Sequence, residues 1–338
     1  MIDKNTDFFK YVDNFAKIAH VVSIPLKNSV LESPFITIAI PTYKRSDLLK
    51  EAIDSALNQE CECQYEILVV DNNPQRGDET ETFMHLYSEE ACISYYKNAE
   101  NVGMVNNWNR LYELAKGKWV IMLHDDDMLR PDFLKKMLPF FKEEIGMCVC
   151  KHQILQDGKL SKLKTYRKPY EEVALIDFAW GNYIGEPVGV CMQKDKVIHL
   201  GGFNADFYPT SDYCFFALFA KNYKTLILNE QLAIYRVECN ASFRKEVLDG
   251  FMNNDYYLSC AVLHICNVSS SIKKAIQECR IKRQINNLRK RWNSQYDYSE
   301  IKYTKSNLAY SFSYFIYKVV YKNYVRIGKM MRWKYCKN

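Results

Sequence analysis

The sequence predicts an α/β fold with a mostly parallel central sheet covered by helices on both faces, followed by a helical, basic C-terminal extension. Three observations carry this expectation. Through the first 150 residues, β-branched apolar runs alternate with amphipathic stretches, the spacing of parallel strands joined by helical crossovers. The chain has 338 residues, 48% hydrophobic and 25% charged, enough apolar material for one sizeable core and a smaller appendage. Its net charge of +6 is unevenly spread: residues 271–338 hold 17 Lys and Arg against 3 Asp and Glu, leaving 29 against 37 in residues 1–270. The basic character therefore belongs to the tail.

Residues 1–33 are weakly patterned and read as an N-terminal extension. The core domain, residues 34–242, opens after Pro34 with the buried strand "FITIAIP". "SDLLKEAIDSALNQ" follows as an amphipathic helix with Ser46 as a candidate N-cap. Next come the strand "YEILVVD", polar "NNPQRGDET", a helix through "TFMHLYSEE", the strand "CISYYKN", a helix over "MVNNWNRLYELAKG" and the strand "WVIMLH". Beyond residue 146 the pattern is less regular. Strands are expected at "MCVCKHQIL" and "EPVGVCMQK", a glycine turn at Gly201-Gly202, a helix at "SDYCFFALFAKN", and two strands at "KTLIL" and "LAIYRV". Residues 243–338 form the third region, helical from 243 to about 290.

Ligands of such sheets bind outside the carboxyl ends of the strands. That edge should collect "PTYKR" (41–45), "DNN" (71–73), "NAENVG" (98–103) and "HDDD" (124–127). Three adjacent aspartates where an apolar strand emerges call for a positive partner. A hard cation such as Mg²⁺ or Mn²⁺ takes one or two protein carboxylates and fills its shell with water and phosphate oxygens. Asp71, ending the second strand on the same edge, is a short acid able to accept hydrogen bonds from a base or ribose, and together these features suggest a nucleotide diphosphate site. The plainer alternative is that the aspartates are solvated or cap the next helix, since Asp127 lies within a turn of Pro131.

Several function classes are disfavoured. The first crossover, "PTYKRSDLL", lacks the glycines of a dinucleotide-binding fingerprint or a P-loop, and of a sugar-nucleotide pyrophosphorylase. The cysteines show C-x-C pairs at 61/63 and 148/150 and no C-x-x-C, a spacing that suits buried small side chains on one strand face rather than zinc. No basic and then long apolar leader opens the chain, so a reduced, cytoplasmic setting is expected. No RNA- or DNA-binding motif accompanies the basic tail, which argues against nucleic acid.

The stretches "ITIAIPTYKRSDLLKEAIDSALNQ", "EILVVDNN", "NVGMVNNWNRLYELAKGKWVIMLHDDDMLRPDFL", "GGFNADFYPTSDYCFFALFAK" and "YRVECNAS" occur in the order and spacing of glycosyltransferase family two, which they resemble over about residues 35–242. The resemblance implies the GT-A nucleotide-diphospho-sugar transferase fold, with 34–242 as catalytic domain, and a bacterial surface-polysaccharide role. It implies that Pro41, Thr42 and Tyr43 touch the nucleotide, that Asp71 recognises the base, and that Asn101 and Gly103 close over it. Asp126 matches the principal metal ligand, with Asp127 beside it in the metal set; Asp125 and Asp127 flank as donor-sugar, ribose or supporting contacts. Asp212, in "TSD", matches the catalytic base, although on residues alone it reads as an ordinary acid at a helix start. Three positions depart from the family pattern. Trp108 stands where many relatives carry Arg, Glu238 where they often carry His, and His124 where the fuller acidic motif has Asp.

The expected function is inverting, metal-dependent transfer of a sugar, favoured as a UDP-sugar, to a glycan or lipid-linked acceptor, with Mn²⁺ or Mg²⁺ as cofactor. The alternative is a catalytically silent nucleotide-sugar-binding protein acting through its tail. In "LAYSFSYFIYKVVYKNYVRIGK" tyrosine, aliphatic and cationic sectors share one helix, which suits contact with an anionic membrane surface and peripheral placement on the inner face of the cell membrane. Its apolar run is too short to span.

Overall fold

β2 (Ile36–Thr42) is buried at every position because it has a strand on each side and helices on both faces, which a continuous β-branched run satisfies. It pairs in parallel with β3 (Tyr65–Asp71) and with β5 (Trp119–Met122), and β3 pairs in parallel with β4 (Ile93–Asn98). The computed structural model describes residues 2–237 and 245–268, together with residues 270, 273, 276, 277 and 280. Glu238 and the aromatic tail at 308–329 lie outside the described residues.

The sheet is mixed. Its order is β1-β4-β3-β2-β5-β10-β7-β11-β6, with β1 at Ser23–Lys27, β6 at Met128–Leu129, β7 at Ile145–Gln156, β10 at Val190–Gln193 and β11 at Lys224–Arg236. The first half is the expected parallel α/β unit. In the second half β10 runs antiparallel to both β5 and β7, so β7 points the same way as β5 and their carboxyl ends share one edge. A two-residue turn, Asp157-Gly158, both with positive φ, reverses β7 into β8 (Lys159–Leu160), the backbone twist that favours such tight hairpins. β9 (Tyr170–Val173) pairs with the first half of β11.

Helices α1 (Ser46–Leu57), α2 (Glu79–Met84) and α4 (Phe133–Met137) cover one face, where Ile36, Ile38 and Ile40 meet Leu49, Ile53 and Ala56. The other face carries α3 (Met104–Leu114), α6 (Ser211–Asn222) and α7 (Lys245–Ile265), with Ala39, Leu68 and Val70 against Leu111, Phe216 and Leu258. The alternation along β2 is the period-two pleat assigning successive side chains to opposite cores.

Three expectations need correction. The strand foreseen from Glu186 begins only at Val190; before it, Gly181, Gly185 and Gly189 have positive φ and hold an irregular loop. The two strands foreseen at 224–228 and 232–237 are one strand, since irregularities in its pairing between Leu228 and Ala233 absorb the polar Asn229 and Glu230 without ending it. Ser46 is the first residue of α1 rather than its cap; Arg45 takes the cap position without a side-chain capping bond, and its side chain is employed elsewhere.

Candidate functional site

The parallel strands deliver their carboxyl ends to one edge, and there the expected residues are linked by hydrogen bonds. Thr42 Oγ1 donates to Asp125 Oδ2 at 2.8 Å, and the Thr42 carbonyl accepts from Asn72 N at 2.9 Å. Asn72 Nδ2 donates to Asn101 Oδ1 at 2.8 Å, which also accepts from Gly103 N at 2.9 Å. Gly103, with φ of 81°, starts α3; at that angle an L side chain is strained. Pro41 and Thr42 are buried, whereas Tyr43, Asn101 and Gly103 are exposed on the rim.

Two arginines supply positive charge beside the aspartates. Arg45 Nη1 lies 3.3 Å from Asp125 Oδ1 and 2.9 Å from Asp126 Oδ2. At the end of β11 the backbone N–H of Arg236 donates to Asp127 Oδ1 at 2.9 Å, its Nε donates to the Asp126 carbonyl at 3.1 Å, and its Nη2 reaches Glu51 at 2.7 Å. Burial pushes the Asp125 carboxyl up to about 6, with Arg45 opposing the rise. Burial, then the neighbouring Asp126, pushes Asp127 well above the usual carboxylate range. Asp126 is the least enclosed of the three, its side chain 14% exposed.

Asp71 sits in a closed ion-pair network. Its side chain and that of Lys97 are both fully buried. Asp71 Oδ2 accepts from Lys97 Nζ at 2.9 Å and from the Tyr95 hydroxyl at 3.1 Å, while Oδ1 accepts from Asn73 N at 2.8 Å. Lys97 also donates to Asp78 at 2.7 Å. Burial raises the Asp71 carboxyl; the Asn73 N–H and Lys97 oppose it. A base approaching this end of the sheet would meet Asp71 only after the surrounding groups part.

Asp212 occupies the first turn of α6 and is half-buried. Asn182 Nδ2 donates to its Oδ2 at 3.2 Å. Burial, with the like charges of Asp255 and Glu186 adding, pushes its carboxyl up to about 7. Asn182 Nδ2 also donates to the Gly185 carbonyl at 2.9 Å, so Asp212 is tied to the loop that carries Glu186, a side chain whose charge also raises Asp127. Glu186 Oε2 is in turn 3.6 Å from His152 Nε2.

Trp108 and Asn109 serve packing here. The Trp108 ring meets Phe203 edge-on and His124 at a tilt, each with ring centroids 5.6 Å away. Asn109 exchanges two hydrogen bonds with the backbone of Phe203, at 2.8 and 2.7 Å. His124 Nε2 is buried with no hydrogen-bond partner among the described residues, and burial lowers the imidazole's proton affinity.

Arg45, Arg236, Asn182 and Glu186 were not foreseen from the sequence. Arg45 and Arg236 stand in stretches that the sequence did single out, "PTYKR" and "YRVECNAS", at the ends of strands on the ligand edge. Asn182 and Glu186 sit in the irregular glycine loop, where no periodicity marks them.

No three or more His, Cys, Asp or Glu side chains among the described residues form a metal cage. The residues nevertheless fit a hard cation brought in on a diphosphate: Asp126 offers a carboxylate at the rim, and Mg²⁺-type sites need only one or two such ligands when phosphates complete the shell.

Among the described residues no helix is long and apolar enough to cross a membrane.

The family model "Glycosyl transferase family 2" matches residues 37–251. A Campylobacter jejuni protein named GalNAc(5)-diNAcBac-PP-undecaprenol beta-1,3-glucosyltransferase is 26% identical over 240 residues, 70% of this chain and 74% of that protein. An uncharacterized Mycobacterium tuberculosis protein is 25% identical over 197 residues, 54% of this chain and 60% of that one's length. Among solved structures, Staphylococcus aureus TarS 1–349 in complex with UDP-GlcNAc superposes with a TM-score of 0.57 at 17% identity, covering 76% of this chain and 74% of that one. The shared architecture is the GT-A fold.

Proposed function

Since the chain belongs to glycosyltransferase family 2, we propose that it moves a sugar from a UDP-sugar to a hydroxyl of a glycan or lipid-linked saccharide, with inversion and with a divalent metal. What supports this reading is the gathering of Thr42, Asp125, Asp126 and Arg45 at the carboxyl ends of the parallel strands, with Asp212 held through Asn182 to the loop that carries Glu186.

The acceptor oxygen bonds to the anomeric carbon as the bond from that carbon to the donor phosphate breaks; the electron pair leaves with the UDP, and the hydroxyl proton passes to Asp212. A base raised to about 7 is matched to this task at neutral pH. Attack from the face opposite the leaving diphosphate inverts the centre. Asp126, with Asp127 behind it, would hold the Mn²⁺ or Mg²⁺, which as a Lewis acid neutralises charge on the departing diphosphate. Tyr43, Asn101 and Gly103 would line the nucleotide rim, with Pro41 and Thr42 buried behind them. The UDP choice is supported by the TarS complex with UDP-GlcNAc, and the lipid-linked acceptor by the name of the C. jejuni relative. A cytoplasmic protein with its basic tail against the inner membrane face accords with that acceptor.

A second reading, nucleotide-sugar binding without turnover, draws support from Arg45, which already bridges Asp125 and Asp126. UDP release measured with Mn²⁺ across a panel of sugar nucleotides and acceptors separates the two. Turnover abolished by Asp212→Asn, with donor binding retained, supports the transferase; binding without turnover for every donor and acceptor class supports the silent protein.

A further inference from the structure

Residues 159–168, "KLSKLKTYRK", carry five cations and no acid. Lys159, Lys162, Lys164, Arg167 and Lys168 are all exposed, and no salt bridge joins any of them to a described residue. Leu160 is 50% exposed, Leu163 62% and Tyr170 48%. Large aliphatic side chains left in water among unpaired cations are not an ordinary solvated surface, where charges of both signs mix.

The segment is held in place by its backbone. Leu155 opposes Leu160 across the hairpin, Ser161 N donates to the Ile154 carbonyl at 2.8 Å, and Lys164 N donates to Gln231 Oε1 at 2.5 Å. Asn229 N and Nδ2 donate to the carbonyls of Pro169 and Lys168, at 2.8 and 3.1 Å. With the main chain pinned to β7 and β11, the lysines and leucines project outward from a fixed platform. That platform lies at the ligand edge: Leu155 pairs with Arg236, whose backbone N–H holds Asp127.

We propose that the segment from Lys159 to Lys168, beyond the exposed turn acid Asp157 and short of Tyr170, whose ring packs edge-on against Phe140, forms a docking surface for an anionic phospholipid bilayer, the cations meeting headgroups and Leu160 and Leu163 entering the interface. The combination favours a bilayer over a soluble polyanion, because a polyanion rewards the charges but leaves the leucines in water. It is separate in sequence from the basic tail. The proposed function enters only through orientation: docking on this edge would turn the site toward a lipid-linked acceptor.

The test is flotation of the full chain with vesicles containing phosphatidylglycerol and with vesicles of phosphatidylcholine alone. Each lysine near such a surface is worth roughly a fivefold change in partitioning, so Lys162→Gln/Lys164→Gln/Lys168→Gln should partition about a hundredfold more weakly to anionic vesicles. Leu160→Ser/Leu163→Ser should also weaken it, while UDP release with a soluble acceptor stays at the wild-type level in both variants. Unchanged flotation of the triple variant overturns the inference, as does loss of heparin binding in that variant with vesicle binding intact. Donor turnover is read separately, so absence of docking with turnover present removes this inference alone, and docking without turnover removes the transferase reading alone.

Discussion

Replacing Lys97 by Met should be the most damaging single change near the nucleotide edge. Lys97 Nζ lies 2.9 Å from Asp71, 2.7 Å from Asp78 and 3.7 Å from Glu81, and the Lys97 and Asp71 side chains are wholly inaccessible. Methionine fills a similar volume but leaves Asp71 as an uncompensated buried charge. Breaking a buried pair from one side costs about 3–5 kcal/mol, whereas removing both partners costs far less. Asp78 and Glu81 add less, because Asp78 keeps its hydrogen bonds from Asn73 Nδ2 and Glu81 N and Arg76 still holds Glu81. The penalty depends on pH. Asp71 is already raised above its ordinary value by burial, and losing Lys97 raises it further. Its ionised form is therefore the costly one: the penalty is full where Asp71 must ionise and shrinks as falling pH protonates it. Urea unfolding followed by tryptophan fluorescence at pH 8 and pH 5 measures this. Lys97→Met should lose about 3–5 kcal/mol at pH 8 and less at pH 5, and Lys97→Met/Asp71→Asn should recover most of it. A loss below about 1 kcal/mol at pH 8, or no recovery in the double variant, would refute the reasoning.

Asp212→Asn should lower turnover by about 10²–10⁴ while donor affinity, measured by calorimetry, changes little. In the wild type the rate should rise with pH to a plateau with a midpoint near 7, because the base works ionised and its carboxyl is raised to about 7; a flat profile from pH 5 to 8 counts against Asp212 as the base. Arg45→Gln removes the guanidinium that shares Asp125 and Asp126, so Mn²⁺ should raise the melting temperature at about tenfold lower concentration, the worth of one charge-assisted hydrogen bond; a higher requirement would show that Arg45 assists the cation. Gly201→Ala would set a Cβ 2.1 Å from the Val12 carbonyl at a φ of 82°, and should destabilise the chain by about 1–3 kcal/mol or more in the same urea assay.

The fold was legible where a local pattern sufficed. "YEILVVD" and "SDYCFFALFAKN" coincide with β3 and α6 residue for residue, because one is a doubly buried run and the other follows a helix-start signal. Residues 23–27 were illegible because a half-buried edge strand carries no strong alternation, and its partner, β4, is about seventy residues away in sequence. The site divides the same way. The aspartates and Asp71 could be placed on one edge because parallel topology fixes where strands end. That Asp71 would be closed in by Lys97, or that Arg45 would enter the acidic turn, depends on pairings 26 and 80 residues apart, to which no local period points. Asn182 and Glu186 depend on a loop shaped by positive-φ glycines, whose path is set by tertiary contact.

The unbroken thirteen-residue course of β11 has a consequence for how the acidic turn can be dissected. The group that steadies Asp127 is a main-chain amide delivered by the strand ladder, so truncating residue 236 to alanine would take away its links to Glu51 and the Asp126 carbonyl yet spare the Asp127 contact. Scanning mutagenesis would then understate what that position does. Only proline, which lacks the donor, would expose it.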